Sequence, residues 1–257
     1  MRILMLRHGD PDYEHDGLTE QGREEAALLA KWMQTQPVDE LYVSPLGRAQ
    51  QTCAYTTQLL GMPAVTLDWL REFPAQVDVN DSAFLQQAYG DLRKGPDGRY
   101  LPHYAWDMRP NAINGKEEYF TEDGWKNSEV AKRSDMEACC RAVWEGLDTL
   151  LASCGYVHEG NIFRVEKANH KTIALFCHFG VTCVMLSHLW KVSPFVLWHM
   201  TATSASSITE LFSEEREEGV AIFRMRRMGG IPHLEMAGKE PSFAARFCET
   251  FTDETRH

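Results

Sequence analysis

The sequence predicts an α/β protein: a mostly parallel central sheet covered by helices, with an inserted lid segment. Three observations carry that expectation. Short apolar runs alternate with helix-period stretches over residues 1–67, an almost continuous apolar run follows at Thr172 to Cys177, and regular periodicity lapses between Phe73 and Asp135.

The elements follow in order. Arg2-Ile3-Leu4-Met5-Leu6 is a buried-strand run, ended by Arg7-His8-Gly9 and Asp10-Pro11. From Thr19, a residue suited to an N-cap, Ala26, Leu29, Ala30 and Met33 recur at helical spacing until Pro37 stops the pattern. Leu41-Tyr42-Val43 reads as a second strand. Ser44-Pro45 then leads into a helix from about Leu46 to Leu60, closed by Gly61, and Ala64 to Leu67 reads as a third strand. Such alternation favours parallel pairing with helical crossovers.

Residues 73–135 are punctuated by Gly90, Gly95, Pro96, Gly98, Pro102, Pro110, Gly115 and Gly124. Their many aromatics, among them Phe73, Phe84, Tyr104, Trp106 and Trp125, supply enough apolar mass to fold. One domain over residues 1–257, with 73–135 as a lid insertion, is therefore expected. Met136, Cys139, Cys140, Val143, Trp144, Leu147, Leu150 and Leu151 then mark a core-facing helix ending near Gly155. Ile162 to Val165 and Thr172 to Cys177 are strand runs, the second apolar enough to be central. Gly180 to Leu189 reads as a helix and Pro194 starts a shorter one. Ser207 to Phe212 with Val220 to Met225 suggests a hairpin, and Glu214-Glu215-Arg216-Glu217-Glu218 reads as a solvated turn.

Charge and cysteine usage narrow the function. With 26 basic and 37 acidic side chains the formal charge is −11, a surface that repels a phosphate backbone or an anionic leaflet. Neither nucleic acid nor membrane is an expected partner. The 7 cysteines have no framework spacing, so they read as reduced thiols of a cytoplasmic protein, and no secretory or membrane-length apolar run is present. His103, His170, His188 and His199 lack metal-site spacing, so no metal or other cofactor is expected.

Three motifs fall at strand ends: Arg7-His8-Gly9, Ser44 to Thr52, and Cys177-His178-Phe179-Gly180. In an open α/β sheet such ends face one crevice. Arg7 and Arg48 offer planar forks for phosphate oxygens, and backbone N–H groups after Phe179 add anion donors. The expected ligand is a phosphoryl group on a small metabolite. Neighbouring cations disfavour protonation of His8, leaving a lone pair free for in-line attack on phosphorus, with a backbone carbonyl holding its other ring nitrogen. His178 would donate to a transferring oxygen, and Glu72, just after Leu70-Arg71, is the best-placed general acid. Cys177 lacks the Cys-x5-Arg loop of a cysteine phosphatase and reads as core.

Taken together, Leu6-Arg7-His8-Gly9, Leu18-Thr19-Glu20-Gln21-Gly22, Ser44-Pro45-Leu46 with Arg48-Ala49 and Gln51-Thr52, Leu70-Arg71-Glu72 and His178-Phe179-Gly180 resemble the histidine phosphatase superfamily, in its phosphoglycerate mutase-like branch. The resemblance runs over residues 1–72 and again over about 136–226. It implies a three-layer α/β/α sandwich with a mostly parallel central sheet, a phosphohistidine at His8, phosphate contacts from Arg7, Arg48 and His178, and Glu72 as proton donor, in a metal-independent phosphatase acting on a small phosphate monoester. Two departures stand out. Mutases of this family follow the acidic residue with an Arg-His-Tyr-Gly type stretch that holds a substrate carboxylate, whereas Phe73-Pro74-Ala75 follows Glu72 here, which argues against a phosphomutase. Phe179 intervenes between His178 and Gly180, where the motif often reads His-Gly. A phospholigand-binding protein without turnover is the other alternative, but Arg7, His8, Arg48, Glu72 and His178 are all retained. Substrate choice is expected to lie in 73–135.

Overall fold

A computed structural model of the chain describes residues 1–242 and Thr252. The first compact unit comprises Met1–Glu72, Asp148–Thr182 and the chain from Ala202 on; the second comprises Phe73–Leu147 and Cys183–Thr201. In chain order the main elements are β1 (Arg2–Arg7), α1 (Glu20–Met33), β2 (Glu40–Val43), α2 (Gly47–Leu60), β3 (Ala64–Thr66), α3 (Met136–Ser153), β4 (Tyr156–Glu159) and β5 (Ile162–Val165). They continue with β6 (Thr172–Cys177), α4 (Phe179–Trp190), α5 (Pro194–Met200), β7 (Ile208–Glu217) and β8 (Val220–Gly230).

One sheet runs β3-β2-β6-β1-β7-β8-β5-β4. The half from β3 to β1 is wholly parallel, and β7, β8, β5 and β4 extend it antiparallel, so that most strands still point one way. β1 and β6, central in the parallel half, are buried on both faces, as their apolar runs require, whereas Val65 and Thr66 of the edge strand β3 are exposed. Leu4, Leu6, Leu41, Val43, Ala174 and Phe176 pack with Leu29 and Met33 of α1 and with Ala49 and Cys53 of α2. On the opposite face Ile3, Met5, Ile173 and Leu175 are fully buried as well.

Register positions the strand ends. β1 pairs with β6 from Arg2↔Thr172 to Arg7↔Cys177, and β6 pairs with β2 as far as Phe176↔Val43. The next residues of the three strands, His8, His178 and Ser44, therefore leave the sheet at one carboxyl edge, where open α/β sheets bind ligands.

The loop after β1 is locked to α1 by two glycines. A Cβ on Gly9 would stand 2.6 Å from the Gly22 carbonyl oxygen, and one on Gly22 only 2.2 Å from that of Asp10. Thr19 caps the same helix, its Oγ1 accepting the Gly22 N–H at 3.0 Å and donating to Asp10 Oδ2 at 2.7 Å. Because only backbone faces the missing methyl group, Gly22→Ala is expected to destabilise the protein by about 1–3 kcal/mol, as overpacking does. An unchanged urea midpoint for that variant would refute the close approach.

The sequence reading needs two adjustments. The acidic run does not turn: Glu214 to Glu217 continue β7, Glu214 pairs with Arg224 of β8 at 2.8 Å, and the turn waits for Gly219 at φ +79°. β4 is also unforeseen, since Tyr156-Val157-His158-Glu159 offers too little apolar alternation; pairing with β5 across Gly160 makes it a strand.

The expected insertion falls inside the second unit, which also takes in residues 136–147 and 183–201. Aromatic packing explains the larger unit: Tyr119 meets Phe195 edge-on at 4.9 Å, and Phe73 lies 5.3 Å from Trp198 between ring centres. Within it are short helices at Ala83–Tyr89, Pro110–Ile113 and Glu129–Lys132, and a two-residue ladder of Gln76–Val77 with His103–Tyr104. No described helix is long and apolar enough to cross a membrane.

Candidate active site

The carboxyl edge of the parallel strands gathers Arg7, His8, Arg48, Glu72 and His178 within the first unit. His8 is buried, and its Nδ1 lies 2.7 Å from the carbonyl oxygen of Gly9, the backbone acceptor expected for it. Arg48 Nε donates to His8 Nε2 at 3.3 Å. An acceptor on one side and a donor on the other assign the proton to Nδ1 and the lone pair to Nε2. Burial first, then the charges of Arg7 and Arg48, push the His8 pKa down to about 3. The ring is neutral at any physiological pH.

The His178 ring lies 5.0 Å from that of His8, centre to centre, and is fully buried. Its pKa is lowered by burial, then by His8, Arg48 and Arg7, so it too is neutral. Nε2 meets Ser44 Oγ at 2.7 Å, while Nδ1 is buried with no hydrogen-bond partner.

Each arginine is aimed by neighbours. Arg48 sits in the first turn of α2, where Asp16 grips it through a 2.6 Å contact to Nη1 and also accepts the Gly47 N–H at 2.6 Å. The Tyr13 ring covers the guanidinium at 5.5 Å. Arg7 donates through Nη1 to the Thr203 carbonyl, and its guanidinium lies 5.9 Å from the Phe179 ring centre. Phe179, the residue that interrupts the second histidine motif, thus stacks on a phosphate-binding candidate. Arg7 Nε is buried without a partner, a donor held in reserve.

Glu72 reaches the start of α4, where its Oε1 accepts the Val181 N–H at 3.2 Å. One of the amides expected to bind an anion is therefore already engaged by the candidate acid. Cys177 sits in the wall of the site as a core residue: its thiol is wholly buried, 3.4 Å from Thr182 Oγ1, and burial pushes its pKa up to about 12.

Sequence reasoning left several residues without a role. Thr52 Oγ1 accepts the Gly9 N–H at 3.0 Å and donates to the Arg48 carbonyl at 2.8 Å, tying the β1 loop to α2. Gln51 does the same for Leu18, accepting its N–H at 2.9 Å. Both stood inside a quoted motif, so their position was visible and their function was not. Asp16 gave no signal at all, since only the tertiary fold brings it to Arg48.

Residues 3–82 match the family model of the histidine phosphatase superfamily, branch 1. The match covers the segment that holds Arg7, His8, Arg48 and Glu72. The chain's fold agrees along nearly the whole length. A phosphoserine phosphatase mutant from Entamoeba histolytica, solved with phosphoserine, is 15% identical and superposes with a TM-score of 0.56, over 91% of this chain and 98% of that one. A mycobacterial glucosyl-3-phosphoglycerate phosphatase solved with VO3 is 18% identical at a TM-score of 0.54, over 89% and 98%. A protein described as mycobacterial hydrolase 1 is 18% identical at 0.55, over 90% and 99%. At these identities the fold is what is shared. No curated protein matches the sequence.

Proposed function

We propose that the protein is a metal-independent phosphatase that hydrolyses a small phosphate monoester through a phosphohistidine on His8. The observation that carries this reading is the His8 ring itself: neutral, with Nδ1–H tied to Gly9 and the Nε2 lone pair facing the Arg48 guanidinium. A phosphoryl group drawn to Arg48 and Arg7 comes to that lone pair. Nε2 bonds to phosphorus as the ester oxygen leaves, and Glu72 as the acid gives the departing oxygen its proton. Water then attacks the phosphohistidine, returns a proton to Glu72 and releases inorganic phosphate. His178, Arg7 and Arg48 hold the phosphoryl oxygens throughout.

Segment 73–135 serves in this reading as the lid that selects the ester. It joins the acid through the chain, since Phe73 follows Glu72, and its aromatic content suits a small organic substrate. The phosphatase names of the structural neighbours support the reaction class. Among the described residues six cysteines stand unbridged, which suits a reducing cytoplasm.

The test is hydrolysis of p-nitrophenyl phosphate with excess EDTA, together with rapid quenching of the labelled enzyme. Turnover should survive chelation, and protein-bound phosphate should be lost in acid and kept in base, as a phosphoramidate is. Abolition by EDTA, or an acid-stable phosphoenzyme, would overturn the proposal.

A further inference from the structure

Ser44, the residue that follows β2, is fully buried beside His178, and its backbone N–H donates to the Phe176 carbonyl at 2.9 Å. Its Oγ has two hydrogen-bonding neighbours: the Leu46 N–H, which it accepts at 3.2 Å, and His178 Nε2 at 2.7 Å. A hydroxyl carries one proton, and a backbone N–H cannot receive it. Among the described residues the only acceptor for that proton is therefore the Nε2 lone pair. With the proton of Ser44 directed to Nε2, the single proton of a neutral imidazole must lie on Nδ1. The opposite arrangement, Nε2–H donating to Oγ, strands a buried hydroxyl proton with nothing to accept it.

We infer that Ser44 is a positioning residue that fixes His178 in its Nδ1–H form, making Nδ1–H the donor offered to a phosphoryl oxygen. Nδ1 is buried and unpartnered, which is where a donor kept for a ligand would stand. Desolvation and the nearby guanidinium groups hold the ring neutral, so it has one proton to place, and Ser44 decides where. A serine that merely filled space at the end of β2 would leave the tautomer free. The catalytic consequence rests on the phosphatase reading above; the tautomer assignment does not.

The experiment pairs long-range 1H–15N spectra of histidine-labelled protein at pH 7.5, with His178 assigned by comparison with His178→Gln, and p-nitrophenyl phosphate kinetics. In the wild type, His178 should show a protonated Nδ1 and an unprotonated Nε2. Ser44→Ala should lose that pure form and drop kcat by about 10- to 100-fold with KM within threefold, and Ser44→Thr, which keeps the hydroxyl, should restore both. A wild-type spectrum with the proton on Nε2 would overturn the inference even if neither variant folded. So would an unchanged tautomer in Ser44→Ala, or a changed tautomer with full kcat. A wild type that shows Nδ1–H but never hydrolyses the ester supports the assignment and refutes only the phosphatase reading.

Discussion

Replacing His8 by alanine is expected to lower kcat for p-nitrophenyl phosphate by at least about 10³-fold and to abolish the phosphoenzyme. The loss should be this large because no other group at the edge can take over. Cys177, the nearest alternative nucleophile in sequence, keeps its proton, with a pKa near 12, and is wholly buried. His178 has Nε2 engaged by Ser44. Anion binding should largely survive, since Arg7 and Arg48 are anchored by Thr203, Asp16 and the Tyr13 ring as well as by His8. Vanadate affinity within about tenfold of wild type, together with the loss of turnover, would separate a missing nucleophile from a collapsed site. Residual turnover above a tenth of wild type would remove His8 from the mechanism.

A second large effect concerns acid. His8 and His233 are held neutral by burial, with pKa values lowered from 6.5 to about 3 and about 4, and His178 is lowered in the same sense. In each case the unfolded chain binds the proton more readily than the folded one. Their contribution is therefore complete above about pH 6.5 and is lost as pH falls from there toward the folded values. One such histidine removes up to about 1.4 kcal/mol per pH unit in that window, and three together about 4 kcal/mol. Glu25 opposes them: its pKa is raised by burial, so it favours the folded state as it protonates. Glu40, lowered chiefly by its bond to Lys171, adds to the loss only below about 4.5. Urea midpoints followed by circular dichroism should fall steeply between pH 6.5 and 5, with a shallower slope in His8→Ala and in His233→Gln. A midpoint that is flat across this range would show that these rings are not held neutral.

The parallel half of the fold was legible because its central strands β1 and β6 are apolar on both faces and its helices carry clean start and stop residues, Thr19 with Pro37 and Ser44-Pro45 with Gly61. Arg7, His8, Arg48 and His178 were legible for a related reason: Arg7 ends a strand, His8 and His178 sit one step beyond one, Arg48 lies in the first turn of the helix after another, and parallel register does the rest. Glu72 was placed by motif alone, and its grip on the Val181 N–H belongs to the tertiary structure. The same holds for Ser44. A serine before a proline reads as a turn residue, and only the fully buried contact with His178 shows its hydroxyl to have a partner 134 positions away. Periodicity could not bound the second unit either, because its cohesion comes from rings far apart in sequence, such as Tyr119 and Phe195.

The division into two units also fixes what light reports. Of the 7 tryptophans, Trp32 and Trp69 lie in the first unit, while Trp106, Trp125, Trp144, Trp190 and Trp198 lie in the second. Intrinsic emission is thus chiefly a signal of the second unit, whereas every titrating histidine invoked above belongs to the first. An acid transition followed by fluorescence could pass unnoticed at His8, or be announced before His8 is disturbed. Coincidence of the emission curve with the backbone dichroism is the condition for treating the chain as one cooperative body; a gap between them would mean that the candidate site and the aromatic unit lose their structure at different pH values.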